Sequence, residues 1–494
     1  MSKKIMFQGT GSTVGKSLIT AALCRILNDD GYKVAPFKSQ NMSLNSFVTQ
    51  DGKEMGRAQV VQAEAARIEP MVEMNPVLLK PTSDMGSQVI LNGKVYNQLK
   101  ASEYYNNKSK LMKEVIYAFN QLEKAYEIIV IEGAGSPAEI NLRKNDIVNM
   151  GLAEAIDTPV ILIGDIDKGG VFASIYGTYM LLEPSEQKRI KGYIINKFRG
   201  DVSLLQPGIE MLYEKLPLPC LGVIPYSDFQ IDDEDSVTTR LKDKKEGDIK
   251  VGVIHLPYMS NFTDFTALEL EKDVAIVYIS HKDTLDGIDL LIIPGSKSTI
   301  QDRLYLKNSG LDEKIYECYK RNIPIIGICG GFQILGHTIK DPLSVETTHK
   351  AIQGLGLLNV ETILEAEKHT VRQKGTFRVN FANGAQTKGV NIWGYEIHMG
   401  KTKLTEDVKP LITLDNNILD GAVNKEKTVF GTYLHGIFDS HNFRAALLEP
   451  IRKQKGLEHS KALSYEKAKD KAYDDLARVV RASIDIEAIK AILG

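Results

Sequence analysis

Short apolar runs alternate along this chain with stretches of helical spacing, in two long series. "KKIMFQGT" has the length of a strand, and "GKSLITAALCRILNDDG" behind it has the spacing of an amphipathic helix closed by Gly31. "YKVAPFK", "EIIVIEGAG", "TPVILIGDID", "KGYIINKF" and "CLGVIPYS" are further apolar, β-branched runs. Between them lie "EMGRAQVVQAEAARI" and "LMKEVIYAFNQLEKAY", which read as helices. Apolar strands separated by helices predict a parallel sheet covered on both faces. The pattern lapses at "LKDKKEGDIK" (241–250), where seven of ten residues are charged, and a domain boundary is expected there. A second series then runs through "IKVGVIHLPY", "VAIVYIS", "DLLIIPGS" and "IPIIGIC" to "GTYLHGIFD". The remainder is helical and charged. The expected organisation is α/β: two doubly wound parallel-sheet domains, 1–240 and 250–442, and a helical extension, 443–494, read as packing without chemistry.

The length of 494 residues fits more than one hydrophobic core. A net charge of −2 gives no reason to expect nucleic acid or an acidic membrane as partner. Cys24, Cys220, Cys318 and Cys329 have neither metal-site nor disulfide spacing, which suits a reducing compartment. The N-terminus does not read as a signal peptide, and no apolar run has transmembrane length. A soluble cytoplasmic protein is expected, with its oligomeric state left open.

The first chemical motif is "GTGSTVGKS": Gly9, Thr10, Gly11, Ser12, Thr13, Val14, Gly15, Lys16 and Ser17. Glycines let backbone N–H groups approach phosphates, and the following helix N-terminus favours negative charge. Lys16 is expected to reach the terminal phosphates of ATP, and Ser17 to ligate magnesium. The usual loop has glycine where this chain has Thr10, with Gly9 one place earlier; the alternative is a plain glycine turn. Glu132, at the tip of an apolar run in "IEGAGSPAEINL", is expected to hold magnesium opposite Ser17. Asp165, Asp167 and Lys168 in "GDIDKGGVFAS" stand at another tip, and the two aspartates stay open between helix capping and ligand contact. "FKSQNMSLNS" (37–46), with Lys38, Gln40 and Asn41, reads as a substrate or phosphate contact.

The second motif is "GICGG" (327–331), a strand-to-helix elbow that would expose Cys329 between Gly327, Gly330 and Gly331. A helix N-terminus there favours thiolate. The N–H after the cysteine, with the turn at Gly295 in "PGSKST", would supply an oxyanion hole. A buried core cysteine is the alternative. Of nine histidines, His435 in "GTYLHGIFD" is the best candidate base.

Residues 250–442 resemble a class I glutamine amidotransferase domain, in which a cysteine attacks the amide of glutamine and releases ammonia. Members of that class usually place a glutamate two residues after the histidine; here Ile437 stands there. That departure, together with "GYEIHMG" (394–400), is similar to the branch that amidates cobyrinic acids. "GTGSTVGKS" is similar to the phosphate loop of dethiobiotin synthetases. With "FKSQNMSLNS", "EMGRAQVVQAEAA", "MNPVLLKP" and "GDIDKGG", the chain from residue 3 to about 442 resembles the cobyric acid synthase family. The resemblance implies amidation of the b, d, e and g carboxylates of adenosylcobyrinic acid a,c-diamide, dependent on ATP, magnesium and glutamine. Asp439 and Glu396 are the carboxylates weighed as orienters of His435, with neither expected to be essential.

Two rival readings are an a,c-diamide synthase and a nucleotide-dependent switch with a degenerate amidotransferase-like module. "FKSQNMSLNS" and "EMGRAQ" argue against the first. Thr10, where such switches carry a signature lysine, and the intact elbow argue against the second.

Overall fold

The computed structural model describes all residues except 1, 84–85, 228, 230, 232–245, 406–407 and 459–462. Half of the charged stretch expected as a boundary, 241–245, lies outside the described residues. The chain divides into two compact units: residues 1–43, 55–232 and 469–494, and residues 44–54 and 233–468.

In the first unit, β1 (Lys3–Gly9), β2 (Val34–Phe37), β3 (Ile128–Glu132), β4 (Val160–Asp165), β5 (Ile190–Phe198) and β6 (Cys220–Pro225) form a parallel sheet. Its order is β6-β5-β4-β1-β3-β2. Residues from Ile5 to Gly9 and the whole of β3 and β4 are buried, as strands covered on both faces must be. Helix α1 (Lys16–Asp29) follows β1 directly and ends before Gly31, whose φ of +93° suits glycine. Helix α2 (Arg57–Ala65) has eight of its nine residues buried. A second sheet carries the hairpins of 77–83, 86–91 and 94–100, which the apolar pattern does not announce.

The second unit has β7 (Ile249–Ile254), β8 (Val274–Ile279), β9 (Leu290–Ile293) and β10 (Ile325–Ile328), then a long antiparallel ribbon of β11 (Val360–Phe377) and β12 (Asn391–Leu404). β13 (Ala422–Val423) and β14 (Val429–Thr432) follow, and the main sheet runs β8-β7-β9-β10-β14-β13. All its neighbours are parallel except β13 and β14. Helix α3 (Gly330–Leu335) leaves β10 at Cys329.

Residues 44–54 belong to this second unit although they come from the N-terminal part of the sequence. The Asn45 carboxamide oxygen accepts from Phe262 N (3.0 Å), and Asn261 Oδ1 accepts from Ser46 N (3.0 Å). Arg372 Nε donates to Val48 O, and its guanidinium lies 4.7 Å from the Phe47 ring centroid.

The tail does not form a unit of its own. Helices α4 (Tyr465–Ser483) and α5 (Ile486–Leu493) carry Tyr473, Leu476, Val480, Ile486 and Ile489, with Ile484 between them, into the core of the first unit, beside Ile5, Leu23 and Val130. Fully buried Arg25 donates to Asp474, and Tyr473 OH donates to Glu64 (2.7 Å). A Cβ on Gly222 would lie 2.2 Å from Ser483 O, so only glycine admits the tail there. Among the described residues no helix is long and apolar enough to cross a membrane.

Candidate active site

In the first unit the loop between β1 and α1 turns through Thr13 (φ +60°) and Gly15 (φ +97°). A Cβ on Gly9 would meet Val14 at 2.6 Å and Gly11 O at 2.7 Å, so the loop closes only around glycine. Lys16 is buried and donates from Nζ to Gly11 O and Gly135 O, both at 3.0 Å. Folding thus draws this lysine across the loop. Ser12 is exposed, and Thr10 N donates to Ile163 O on β4.

Glu132 ends β3 beside this loop and is 1% exposed. Its Oε1 accepts from Ser17 Oγ (2.8 Å) and Lys38 Nζ (3.0 Å), and its Oε2 from Gln62 Nε2 (2.5 Å). Burial pushes its pKa up, but Lys38, the Ser17 and Gln62 hydrogen bonds and Lys16 outweigh that and hold it below the usual carboxylate range. Several buried polar atoms nearby in the sequence pattern have no hydrogen-bond partner among the described residues: Ser39 Oγ, Asn41 Nδ2, both amide atoms of Gln59, and Gln62 Oε1. Asn41 Nδ2 and Gln59 Oε1 lie 2.5 and 3.2 Å from where a Cβ on Gly56 would sit, so they converge on one spot. Orphaned buried groups of this kind suit a polar ligand. An ionised carboxylate touching a serine hydroxyl also fits magnesium.

The remaining expected contacts are placed less uniformly. Gln40 accepts from Tyr104 OH (2.5 Å). Lys168 donates to Thr13 Oγ1 (2.9 Å), at the phosphate loop. Asp165 accepts from Lys197 Nζ and from Asp167 N, both at 2.9 Å, and Asp167 accepts from Arg199 Nε (2.7 Å). Lys197 also donates to Thr13 O (2.6 Å), so Asp165 helps to brace the loop.

In the second unit Cys329 sits between β10 and α3 with φ +51° and ψ −104°, a strained conformation for a residue with a side chain. Cys329 N is held by Thr432 O (2.8 Å) and Sγ donates to Ile397 O (3.6 Å). A Cβ on Gly331 would lie 2.0 Å from Ile293 O, and one on Gly327 would meet Gly331 at 2.7 Å, so the elbow packs too closely for side chains. A Cβ on Gly330 would lie 2.8 Å from Ser296 N, which brings the turn at Gly295 against the residue after the cysteine. His435 Cε1 lies 3.0 Å from a Cβ position on Gly295, so cysteine, turn and histidine form one cluster.

His435 is buried and its Nδ1 lies 2.7 Å from Asp264 Oδ2, while Asp264 Oδ1 accepts from Gly436 N (3.0 Å). Burial pushes the imidazole pKa down, but the Asp264 charge and hydrogen bond, with a further hydrogen bond to Cys329, raise it to about 10. Tyr395 stacks on the imidazole at 5.4 Å, and Phe47 packs edge-on to Tyr395 at 5.0 Å. The orienting carboxylate is therefore Asp264, which sequence reasoning missed. Neither Asp439 nor Glu396 takes that place: Asp264 occupies Nδ1, and Glu396 faces His398 and His369. The available signal was position, since "HLPYMSNFTDF" follows β7, where loops at strand ends gather functional groups.

Residues 250–443 match the family described as the CobB/CobQ-like glutamine amidotransferase domain, and residues 5–237 the CobQ/CobB/MinD/ParA nucleotide binding domain. The chain is 54% identical to a cobyric acid synthase of Clostridium botulinum (strain ATCC 19397 / Type A), over 99% of each chain. It is 52% identical to a cobyric acid synthase of Clostridium acetobutylicum, again over 99% of each. A Clostridium tetani cobyric acid synthase is 51% identical at the same coverage. On identity of this extent along its whole length, the chain belongs to the cobyric acid synthase family.

Proposed function

We propose that this protein amidates the b, d, e and g side-chain carboxylates of adenosylcobyrinic acid a,c-diamide to give adenosylcobyric acid, in the cytoplasm, with ATP and glutamine as co-substrates. The observation that carries the reading is the pairing in one chain of a phosphate loop beside Glu132 with a Cys329–His435–Asp264 relay. Similarity to cobyric acid synthases along the whole chain supports the choice of corrinoid.

A carboxylate resists nucleophiles because it is negatively charged and lacks a leaving group. Transfer of the terminal phosphoryl group of ATP would convert it to an acyl phosphate. Lys16 and the loop N–H groups would offset the charge that develops on the transferred phosphoryl group. Ser17 and Glu132 would hold magnesium, which supplies further positive charge when bound. Ser39, Asn41, Gln59 and Gln62 are the groups proposed to meet polar parts of the ligands.

The nitrogen would come from glutamine. Asp264 holds the proton on Nδ1 of His435, which leaves Nε2 to take the proton from Cys329. The thiolate attacks the side-chain amide, and N–H groups at Gly330 and Ser296 would receive the oxyanion. His435 then protonates the departing ammonia and later deprotonates the water that releases glutamate.

The test is incubation of the full chain with cobyrinic acid a,c-diamide, ATP, magnesium and glutamine, followed by mass spectrometry. Stepwise conversion of four carboxylic acids to amides is expected, and ATP hydrolysis without amide formation would overturn the reading.

A further inference from the structure

Away from the relay, β11 and β12 carry three metal-ligating side chains on one face of the ribbon. His369 and His398 are directly opposed across the pair, and Glu396 lies two residues before His398, on the same side. Glu396 Oε2 is 3.0 Å from His398 Nε2 and 3.6 Å from His369 Nε2. One ligand atom from each residue lies within 4.8 Å of the others.

The tautomer of His398 sharpens the picture. Its Nδ1 lies 2.8 Å from Gly400 O, a carbonyl that can only accept, so Nδ1 carries hydrogen. Nε2 then faces a carboxylate oxygen, which also only accepts when ionised. In neutral His398 two lone pairs would oppose each other, and His369 Nε2 lies 3.6 Å from the same oxygen. A cation between them resolves the conflict: either a second proton on His398 or a metal ion. Zinc bonds of about 2.0–2.1 Å in tetrahedral array place ligand atoms roughly 3.3 Å apart, which the two observed separations bracket. A backbone carbonyl holding the far N–H of the imidazole is the outer contact that metal-binding histidines use. The Tyr433 ring, stacked 3.8 Å from His398, fixes the plane of the imidazole.

We propose that His369, Glu396 and His398 form a three-ligand site for a divalent transition metal of the zinc class. The His369 side chain is 55% exposed and gives the ion a path from solvent, whereas Glu396 and His398 are nearly buried. Ile397, between two of the ligands, offers its carbonyl to Cys329 Sγ, so an ion here would fix the strand that flanks the nucleophile.

The test uses the full chain with Cys329→Ser, to remove a competing thiolate, stripped with chelator and kept in excess magnesium. Cobalt(II), titrated as a spectroscopic stand-in for zinc, is expected to bind at one equivalent with a visible d–d band that zinc abolishes. Zinc should also raise the melting temperature, by linkage. His369→Asn, an exposed change that leaves the fold alone, and Glu396→Gln should each weaken binding at least ~10–100-fold, the range already seen for outer-shell changes. No uptake, as for a simple imidazolium–carboxylate pair, would overturn the site. So would uptake of equal affinity in both variants.

Discussion

Nδ1 of His435 lies 2.7 Å from Oδ2 of Asp264, across 171 residues of sequence. The carboxylate also accepts from Gly436 N, so it fixes both the imidazole and the backbone that carries it. Asparagine at 264 can present its NH2 to Nδ1, which would move the proton to Nε2 and leave no base for Cys329. Asp264→Asn should therefore lower glutamine hydrolysis by up to ~10⁴-fold, as in serine triads. Asp439→Asn should leave it nearly unchanged. Near-normal hydrolysis in a folded Asp264→Asn protein would remove Asp264 from the relay.

Cys329→Ala takes away only the sulfur, at an elbow whose backbone alanine enters no less easily than cysteine. Amidation driven by glutamine should vanish, and amidation driven by a high concentration of ammonium salt should remain. That rescue should strengthen with pH, because free ammonia is the nucleophile. His435→Ala should behave alike. Product masses in the two nitrogen sources distinguish the outcomes, and glutamine-driven product from Cys329→Ala would refute the nucleophile.

Lys16→Ala should abolish ATP-dependent amidation. Because Lys16 bridges Gly11 O and Gly135 O, the change also strands two acceptors, at a cost of about 1–3 kcal/mol. Denaturant unfolding would measure that loss, and an amidation rate close to wild type would show that the loop does not serve the phosphates.

The His435–Asp264 pair should make stability depend on pH. The folded-state pKa of His435 is raised from 6.5 to about 10, so its contribution is full below the unfolded value and is lost as pH climbs through the folded one. The melting-temperature advantage of wild type over His435→Gln should thus shrink from pH 6.5 toward pH 10. An advantage that grows over this window would contradict the assignment of the charge.

Phe47 is 6% exposed, lies under the Arg372 guanidinium and packs on Tyr395, which in turn stacks on His435. Phe47→Ala should destabilise the second unit by about 3–5 kcal/mol and lower glutamine hydrolysis by loosening Tyr395. Parallel unfolding and hydrolysis measurements would check both effects. Full hydrolysis with reduced stability would confine Phe47 to packing.

The strands around Gly9 and Cys329 were legible because parallel strands buried on both faces read as unbroken apolar runs, and a glycine-flanked lysine or cysteine at their ends stands out. The ribbon of β11 and β12 was not, since "LEAEKHTVRQKG" is mostly polar and mostly exposed or half-buried, and pairing with a distant partner leaves no periodic mark. Asp264 escaped for a related reason: it meets His435 through the fold, and one aspartate in a loop resembles any other. The tail was half legible. The apolar stripe of "YDDLARVVRASIDIEAI" tells that one face is buried, but not that Leu476 and Ile489 are buried beside Ile5.

That return of the tail bears on biogenesis. The first unit is completed only by residues 469–494, whose Ile489 is fully buried and whose Asp485 N donates to Leu221 O at 2.7 Å. A ribosome that has just made β6 therefore holds a sheet with one apolar side still open around Ile5, Leu23 and Val130. The second unit has residues 44–54 at hand long before the rest of it emerges and needs nothing beyond residue 468, whereas the first also needs 469–494. A fragment cut after residue 232 would expose the patch that α4 and α5 cover in the whole chain.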